Sequence, residues 1–341
     1  MRRRTDSVRP APEVHPVFAR TSVSARASSG CAAVVWLLLT CAASAAECRA
    51  LIICGEAGPD PTTARRFADW TDRWQRLLTE VYSFRKENAR VLRSPATMPA
   101  TLPADPGIAS RQNVLAAIAD VVARSTDEDQ FVLIIIGHGY DSQGLSKVCL
   151  PGRDISDVDV ARALDRLRAK SCVCVVATAA SAPWAKSLAR QGRVIITAAA
   201  TVEMRSQPYF NEFLLRALRP GNVSVLDAFN QASMNTLRWY QNQFIEGATT
   251  TVHGTEFQEI FRAMYPDRPM RAGDAQPRPA VNDPADTKAW LGRRVLVETA
   301  GLEDNGDGVP ASIYESGSAP APLPAPGGDG LLARTVILGR P

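Results

Sequence analysis

The chain has 341 residues, of which 45% are hydrophobic and 22% charged, so it has an ordinary globular composition. Its formal net charge is +4, but residues 1–45 carry six of its 39 basic side chains and only two of its 35 acidic ones. The remaining residues hold 33 of each sign and have no net charge. This balance gives no indication of a basic surface for nucleic acid or for an anionic membrane, and we expect neither as a partner.

The N-terminal segment has the pattern of a secretory signal. Arginine-rich residues precede the apolar stretch Cys31–Thr40, and the small residues Ala43, Ser44 and Ala45 follow it. The apolar stretch is short for a membrane span, so we expect cleavage after Ala45 or its neighbour and no stable membrane insertion afterwards. An uncleaved anchor is the alternative. The pattern predicts an exported protein, periplasmic or extracellular.

Apolar runs alternate with helical patterns along the rest of the chain. The predicted strands cover residues 50–54, 89–92, 131–136, 172–176, 193–197 and 294–297, and helices with capping signals at Asp60, Ser110, Ser156 and Ser224 lie between most of them. This alternation predicts a mostly parallel sheet with helices on both faces. We expect one domain over residues 46–308, followed by a Pro/Ala/Gly-rich tail over residues 309–341 that is partly disordered.

Five cysteines follow the predicted signal: Cys48, Cys54, Cys149, Cys172 and Cys174. An odd count leaves at least one thiol unpaired within the chain. Cys172 and Cys174 lie two residues apart on one predicted strand, so their side chains should face the same way. No cysteines and histidines have the spacing of a zinc site, and we interpret these residues as small buried hydrophobes.

The segment Phe131–Gly139 predicts a functional edge of the sheet. Six apolar residues form a strand that is buried on both faces, and His138 follows between two glycines. In open α/β sheets, ligands bind at the carboxyl ends of the strands. Glycines on either side allow a close approach of backbone and ligand, so His138 resembles half of a catalytic dyad.

Five segments follow one another in a characteristic order: the Gly137–Gly139 tip, Leu150–Asp154, Gly192–Ala198, Ser224–Phe229 and Leu302–Gly308. In this order and spacing they resemble the caspase–haemoglobinase fold, in particular the legumain-type (C13) cysteine peptidases and their bacterial exported relatives. The resemblance implies a three-layer α/β/α caspase-like sandwich with a mostly parallel sheet. It also implies thiol acylation, in which a histidine assists a cysteine and backbone amides bind the oxyanion.

The resemblance assigns His138 as the catalytic histidine and Gly139 as the oxyanion glycine. The position of the nucleophilic cysteine falls on Ala180, and the glycine that the family has after the next serine is Ala182. Alanine has no nucleophilic atom, so the family's reaction should be lost or reduced to a residual rate.

Other residues could replace the missing nucleophile. Ser181 lies one residue further along, although a serine at such a turn also caps helices or bonds to the backbone. Cys149 follows His138, but its reactivity would need an electropositive, accessible setting. Cys174 lies six residues before Ala180, roughly 20 Å along an extended strand. His253 has no flanking dyad character and is assigned to surface or packing.

The acidic segment Glu303–Gly308 resembles the start of a calcium-binding loop. The position of the bidentate acid falls on Tyr314, and no helix signal flanks the loop, so we interpret the segment as an acidic turn. The sequence predicts neither a metal nor a cofactor.

Three functional hypotheses follow. The first is an exported legumain-like homologue that lacks peptidase activity and binds a peptide or protein. The second is an active endopeptidase that uses His138 with Ser181 or another thiol. The third is a non-catalytic structural or protein-interaction module. A hydroxyl or thiol within about 4 Å of His138 would favour the second, and an occluded strand-end crevice would favour the third.

Overall fold

The computed structural model describes residues 46–95, 105–199, 208–250, 299–314, 320–324 and 328–341, with the backbone alone for residues 240–250. These residues belong to one compact unit. The predicted signal segment, the predicted strand over residues 294–297 and His253 lie outside the described residues. None of the described helices is both long and apolar enough to span a bilayer.

The described strands form a six-stranded central sheet and a small three-stranded sheet. The strands of the central sheet are β1 (Cys48–Cys54), β2 (Ala89–Arg93), β3 (Gln130–Ile136), β7 (Ser171–Ala177), β8 (Arg193–Thr197) and β9 (Gly301–Glu303). They have the order β2-β1-β3-β7-β8-β9, in which all neighbours are parallel except the β8–β9 pair. The antiparallel small sheet contains β4 (Gly139–Ser142), β5 (Leu145–Val148) and β6 (Ile155–Ser156).

Helices cover both faces of the central sheet. They are α1 (Pro61–Arg76), α2 (Arg111–Arg124), α3 (Asp157–Ala163), α4 (Ala182–Leu188), α5 (Phe210–Leu218) and α6 (Val225–Thr250). Side chains of α1, α5 and α6 pack with one face of the sheet, and those of α2, α3 and α4 pack with the other. The predicted three-layer α/β/α sandwich with a mostly parallel sheet is confirmed.

The capping signals are also confirmed. Asp60 accepts hydrogen bonds from the first-turn amides of α1, and Ser110 accepts one at α2. Ser156 and Asp159 form a reciprocal capping box at α3. The helix α3 ends at Ala163, earlier than the predicted Leu167.

Arg193 caps the C-terminal ends of α3 and α4. Its guanidinium donates to the carbonyl oxygens of Leu164 and Leu188, at 2.7 and 3.1 Å, just beyond α3 and at the end of α4. Carbonyls at a helix C-terminus lack intrahelical partners, and a cation near them is favourable. One buried arginine therefore stabilises the ends of two helices.

The C-terminal residues 328–341 pack against the amino-terminal edge of the central sheet. Val336 and Leu338 are buried in the core that the α1 side of the sheet forms. The fully buried Gln130 accepts from the amide of Gly339 and donates to the carbonyl of Ile337, at 2.7 and 3.0 Å. The domain boundary at residue 308 stays a prediction, but this part of the tail shares the core.

Candidate functional site

Three loops meet at the carboxyl edge of the central sheet. Cys54, Ile136 and Ala177 are register partners at the ends of β1, β3 and β7. The loops that follow them therefore start side by side, as expected where parallel strands end at one edge. The amide of Gly55 donates to the carbonyl of Ile136 at 2.7 Å, so the first two loops are joined directly.

His138 is half-buried and held by the loop after β1. Its amide donates to the carbonyl of Glu56 at 3.0 Å, and its ring Nε2 lies 2.6 Å from the carbonyl oxygen of Ala57. A carbonyl only accepts, so Nε2 carries the proton, and in the neutral ring Nδ1 is the acceptor nitrogen. Phe67 packs edge-on against the imidazole, with ring centroids 6.0 Å apart. These contacts fix the orientation and the tautomer of the ring.

Gly58 and Gly139 allow the loops to approach each other closely. Gly58 has a φ of +66°, and a Cβ there would lie 2.8 Å from Nε2 of His138. A Cβ at Gly139 would overlap the carbonyl oxygen of Ala179 and approach Oγ1 of Thr178 at 2.8 Å. Only glycine fits these two positions, which brings the His138 loop against the loop after β7.

Ala180 lies in the loop after β7 with a positive φ of 51° and an exposed fraction of 2%. The left-handed region is unfavourable for alanine by about 1 kcal/mol or more, so the surrounding contacts must hold this conformation. One such contact is visible: Oγ of the fully buried Ser146 donates to the carbonyl of Ala180 at 2.6 Å. Ser146 itself accepts from the indole nitrogen of Trp184 at 2.8 Å.

Ser181 is fully buried, and its hydroxyl accepts a hydrogen bond from the amide of Ala199 at 3.0 Å. Ala199 follows β8, which lies on the opposite side of β7 from β3 and His138. The hydroxyl of Ser181 therefore lies on the β8 side of the loop. It makes no side-chain capping bond to α4.

The candidate thiols are poorly suited to nucleophilic attack. The amide of Cys149 donates to the carbonyl of His138 at 2.9 Å, so this residue is a backbone neighbour of the histidine. However, burial and the nearby acids Asp154 and Glu56 raise the pKa of the Cys149 thiol to about 11. A protonated thiol is a weak nucleophile. Cys174 is fully buried within β7.

The acidic segment at Glu303 satisfies backbone amides with its carboxylates. Oε1 of the fully buried Glu303 accepts from the amide of Gly306 at 2.5 Å. Asp304 accepts from the amides of Gly330 and Ala333, at 2.8 and 2.7 Å. Within the described residues, no group of three or more histidine, cysteine or acidic side chains could hold a metal ion. The segment acts as a turn that ties β9 to the C-terminal residues.

Two contributors to the site were missed in the sequence. Ser146 belongs to the hairpin of β4 and β5, and Ala57 follows β1; each contacts a predicted site residue directly. Gly55 and Gly58 after the first apolar run were a usable signal that this loop contacts the His138 loop, because neighbouring parallel strands bring their following loops together. Ser146 had no such signal, because its role depends on how the hairpin packs.

No protein-family model matches this sequence, and no curated protein sequence matches it. Among solved structures, the protein GSU0716 of Geobacter sulfurreducens is similar, with a TM-score of 0.39 and 14% identity over 56% of this chain and 88% of that chain. The Drosophila initiator caspase Dronc is similar with a TM-score of 0.35 and 10% identity, over 56% of this chain and 72% of that chain. The legumain-type assignment stays a prediction from the sequence.

Proposed function

We propose that this protein is an exported, legumain-like homologue of cysteine peptidases that binds a peptide or protein without cleaving it. The observation that carries the proposal is Ala180. It lies in the loop after β7, beside the loop that holds His138 and Gly139. In the legumain-type resemblance this position supplies the attacking sulfur, and alanine has only a methyl group there.

The backbone at Ala180 supports a lost catalytic role. A non-glycine residue in the left-handed region costs of order 1–3 kcal/mol and persists where surrounding contacts enforce it, most often at functional sites. Ala180 has this conformation, and the chain from Trp184 through Ser146 to its carbonyl group holds it. A methyl group gains nothing from this turn, whereas a nucleophile would be fixed by it.

The neighbouring groups do not supply an alternative nucleophile. The hydroxyl of Ser181 is bonded on the β8 side of the loop, and the thiol of Cys149 has a pKa raised to about 11. A hydroxyl becomes nucleophilic when an adjacent base takes its proton, and the visible partner of Ser181 is an amide donor. These contacts support a protein in which neither Ser181 nor Cys149 replaces the nucleophile that is missing at position 180.

A second candidate function is a non-catalytic structural or protein-interaction module. The observation that favours it is the burial of the loop after β7: Thr178 and Ser181 have no exposed surface, and Ala179 and Ala180 are 2% exposed. A strand-end crevice filled in this way cannot admit an extended peptide without movement. In this case the partner would bind elsewhere on the surface.

A peptide-library assay on three forms of the protein tests the proposal. The wild-type protein should show no cleavage, Ala180→Cys should gain cleavage, and the double variant Ala180→Cys/His138→Ala should lose it again. Peptides that the single variant cleaves should bind the wild-type protein in a fluorescence anisotropy titration. Wild-type cleavage that disappears in Ser181→Ala would contradict the proposal and support the serine-type alternative. If Ala180→Cys gains no cleavage and the wild-type protein binds no peptide, the result would favour the structural module.

A further inference from the structure

The thiols of Cys172 and Cys174 form a close, buried pair on β7. Their sulfur atoms lie 3.7 Å apart, and the side chains are 2% and 0% exposed. The sequence-based prediction that they face the same way is therefore confirmed. Both pack on the α2, α3 and α4 side of the sheet. They lie among the first four residues of β7, whereas His138 and Ala180 follow the carboxyl ends of β3 and β7, so the proposed function does not use them.

A buried cation lies beside this pair. Arg193 is 6% exposed and is the register partner of Cys172 on the neighbouring strand β8. Its hydrogen bonds go to the carbonyl oxygens of Leu164 and Leu188, so its position is fixed by two helix ends. The hydrogen bond with Cys174 and the charge of Arg193 lower the pKa of Cys172, whereas the bond with Cys172 and burial raise the pKa of Cys174.

The number of ligands limits which metal ion could bind here. Zinc in structural sites takes four protein ligands. Within the described part of the chain no third histidine, cysteine or acidic side chain completes such a group. Two thiolates alone suit a soft monovalent ion, for which sulfur ligands select. Zinc–sulfur bonds are about 2.3 Å long, and two bonds of that length reach both sulfurs of the pair in a bent arrangement at the present separation of 3.7 Å. A linear arrangement would need the two sulfurs to move about 0.9 Å further apart.

We propose that Cys172 and Cys174 together bind one soft monovalent metal ion of the copper(I) class. Binding replaces the two thiol protons with one metal ion and forms two metal–sulfur bonds, with no change in oxidation state. Two thiolates, one monovalent cation and the guanidinium of Arg193 then have no net charge. This neutrality matters because an uncompensated charge in a buried site is costly.

A disulfide between the same two residues fits the strand less well. A disulfide needs a sulfur–sulfur bond of about 2.05 Å, so these two sulfurs, now 3.7 Å apart, would have to approach each other by roughly 1.6 Å. The Cα atoms of residues two apart in a strand are separated by roughly 6.6 Å, which lies at the upper end of the disulfide range and beyond its usual value of about 5.5–6 Å. Closing the bond would strain β7, which is paired along its length with β3 and β8. A bridging ion requires smaller side-chain movements.

Entry of the ion requires local opening. Cys172 is the second residue of β7, and the preceding segment has exposed side chains at Asp165, Arg166, Arg168 and Lys170. Short exposed segments open at low free-energy cost relative to the core. The expected behaviour is slow association with a site that is then protected from solvent.

The experiment is a copper(I) titration of the whole protein under anaerobic, reducing conditions, in competition with the chelator bathocuproine disulfonate. Native mass spectrometry should show one copper bound, with the loss of two protons. The apparent affinity should rise about 100-fold for each pH unit while both thiols start protonated, because two protons leave. This dependence is measured on the wild-type protein and needs no variant.

Cysteine variants locate the site. Cys172→Ala and Cys174→Ala, checked for folding by circular dichroism, should each lose the tight site. Cys54→Ser and Cys149→Ser, which remove thiols outside the pair, should retain it. Absence of tight copper binding in the wild-type protein, retention in both pair variants, or an affinity that does not change with pH would overturn the proposal. So would a wild-type protein that instead loses two hydrogens to a Cys172–Cys174 disulfide.

Discussion

Replacement of Ser146 by alanine tests how the strained turn at Ala180 is held. The substitution removes the hydroxyl that donates to the Ala180 carbonyl at 2.6 Å and accepts from the Trp184 indole at 2.8 Å. Both of the groups left behind lie in buried residues. A buried polar group without a partner costs about 1–3 kcal/mol.

The expected loss of stability follows from these contacts. Two orphaned groups give a cost of about 2–6 kcal/mol, and relaxation of the left-handed turn returns about 1 kcal/mol. We therefore expect Ser146→Ala to lower the free energy of unfolding by about 1–5 kcal/mol. Ser142→Ala, at a half-exposed serine on the same hairpin, should change it by less than about 0.5 kcal/mol.

Urea denaturation followed by tryptophan fluorescence measures both variants. The double variant Ser146→Ala/Trp184→Phe should show a coupling energy of about 1 kcal/mol or more, because Trp184→Phe removes the indole N–H that Ser146→Ala alone would leave without its acceptor. Equal stability losses for Ser146→Ala and Ser142→Ala, or full additivity of the double variant, would refute the role of this hydrogen-bonded chain in holding the turn.

Three further predictions concern other parts of the fold. Burial raises the pKa of Glu303 above its ordinary value of 4.5. Just above pH 4.5 the folded state therefore binds more protons than the unfolded state, and stability should fall as the pH rises from 4.5 to the folded-state pKa. The urea midpoint of Glu303→Gln should fall less over this pH range. Arg111 lowers the pKa of Asp159 to about 2. This pair contributes stability above pH 3.8, and that stability is lost as the pH falls toward 2. Arg111→Gln should reduce this acid-dependent loss, and an unchanged pH profile of the urea midpoint would count against the pair. Gln130→Leu removes the bonds that hold the C-terminal residues and should cost about 2–3 kcal/mol in thermal unfolding, whereas the exposed Gln112→Leu should be near neutral.

Most of the architecture could be predicted because its signals are local. The apolar runs that precede Gly55 and Gly137 formed the expected buried strands, and the capping residues marked helix starts within a residue or two. The hydrogen bond from Arg193 to the Leu164 carbonyl at the end of α3 could not be predicted, because Arg193 is distant in sequence and reaches this carbonyl only in the folded chain.

The candidate site was predictable only in part. The position of His138 at a strand end followed from the strand pattern, but its contact with Ala57 depends on the order of β1 and β3 in the sheet. The positive φ of Ala180 had no sequence signal, since alanine normally avoids that region. Long-range packing, rather than propensity, decides these features.

The most direct test of the central claim is a crystal structure of the Ala180→Cys variant. If Ala180 marks the lost nucleophile position, the introduced sulfur should lie within about 4 Å of a ring nitrogen of His138, close to hydrogen-bond reach. The strained φ of residue 180 should be unchanged. A sulfur directed away from the imidazole, or a native thiol already in contact with it, would contradict the account.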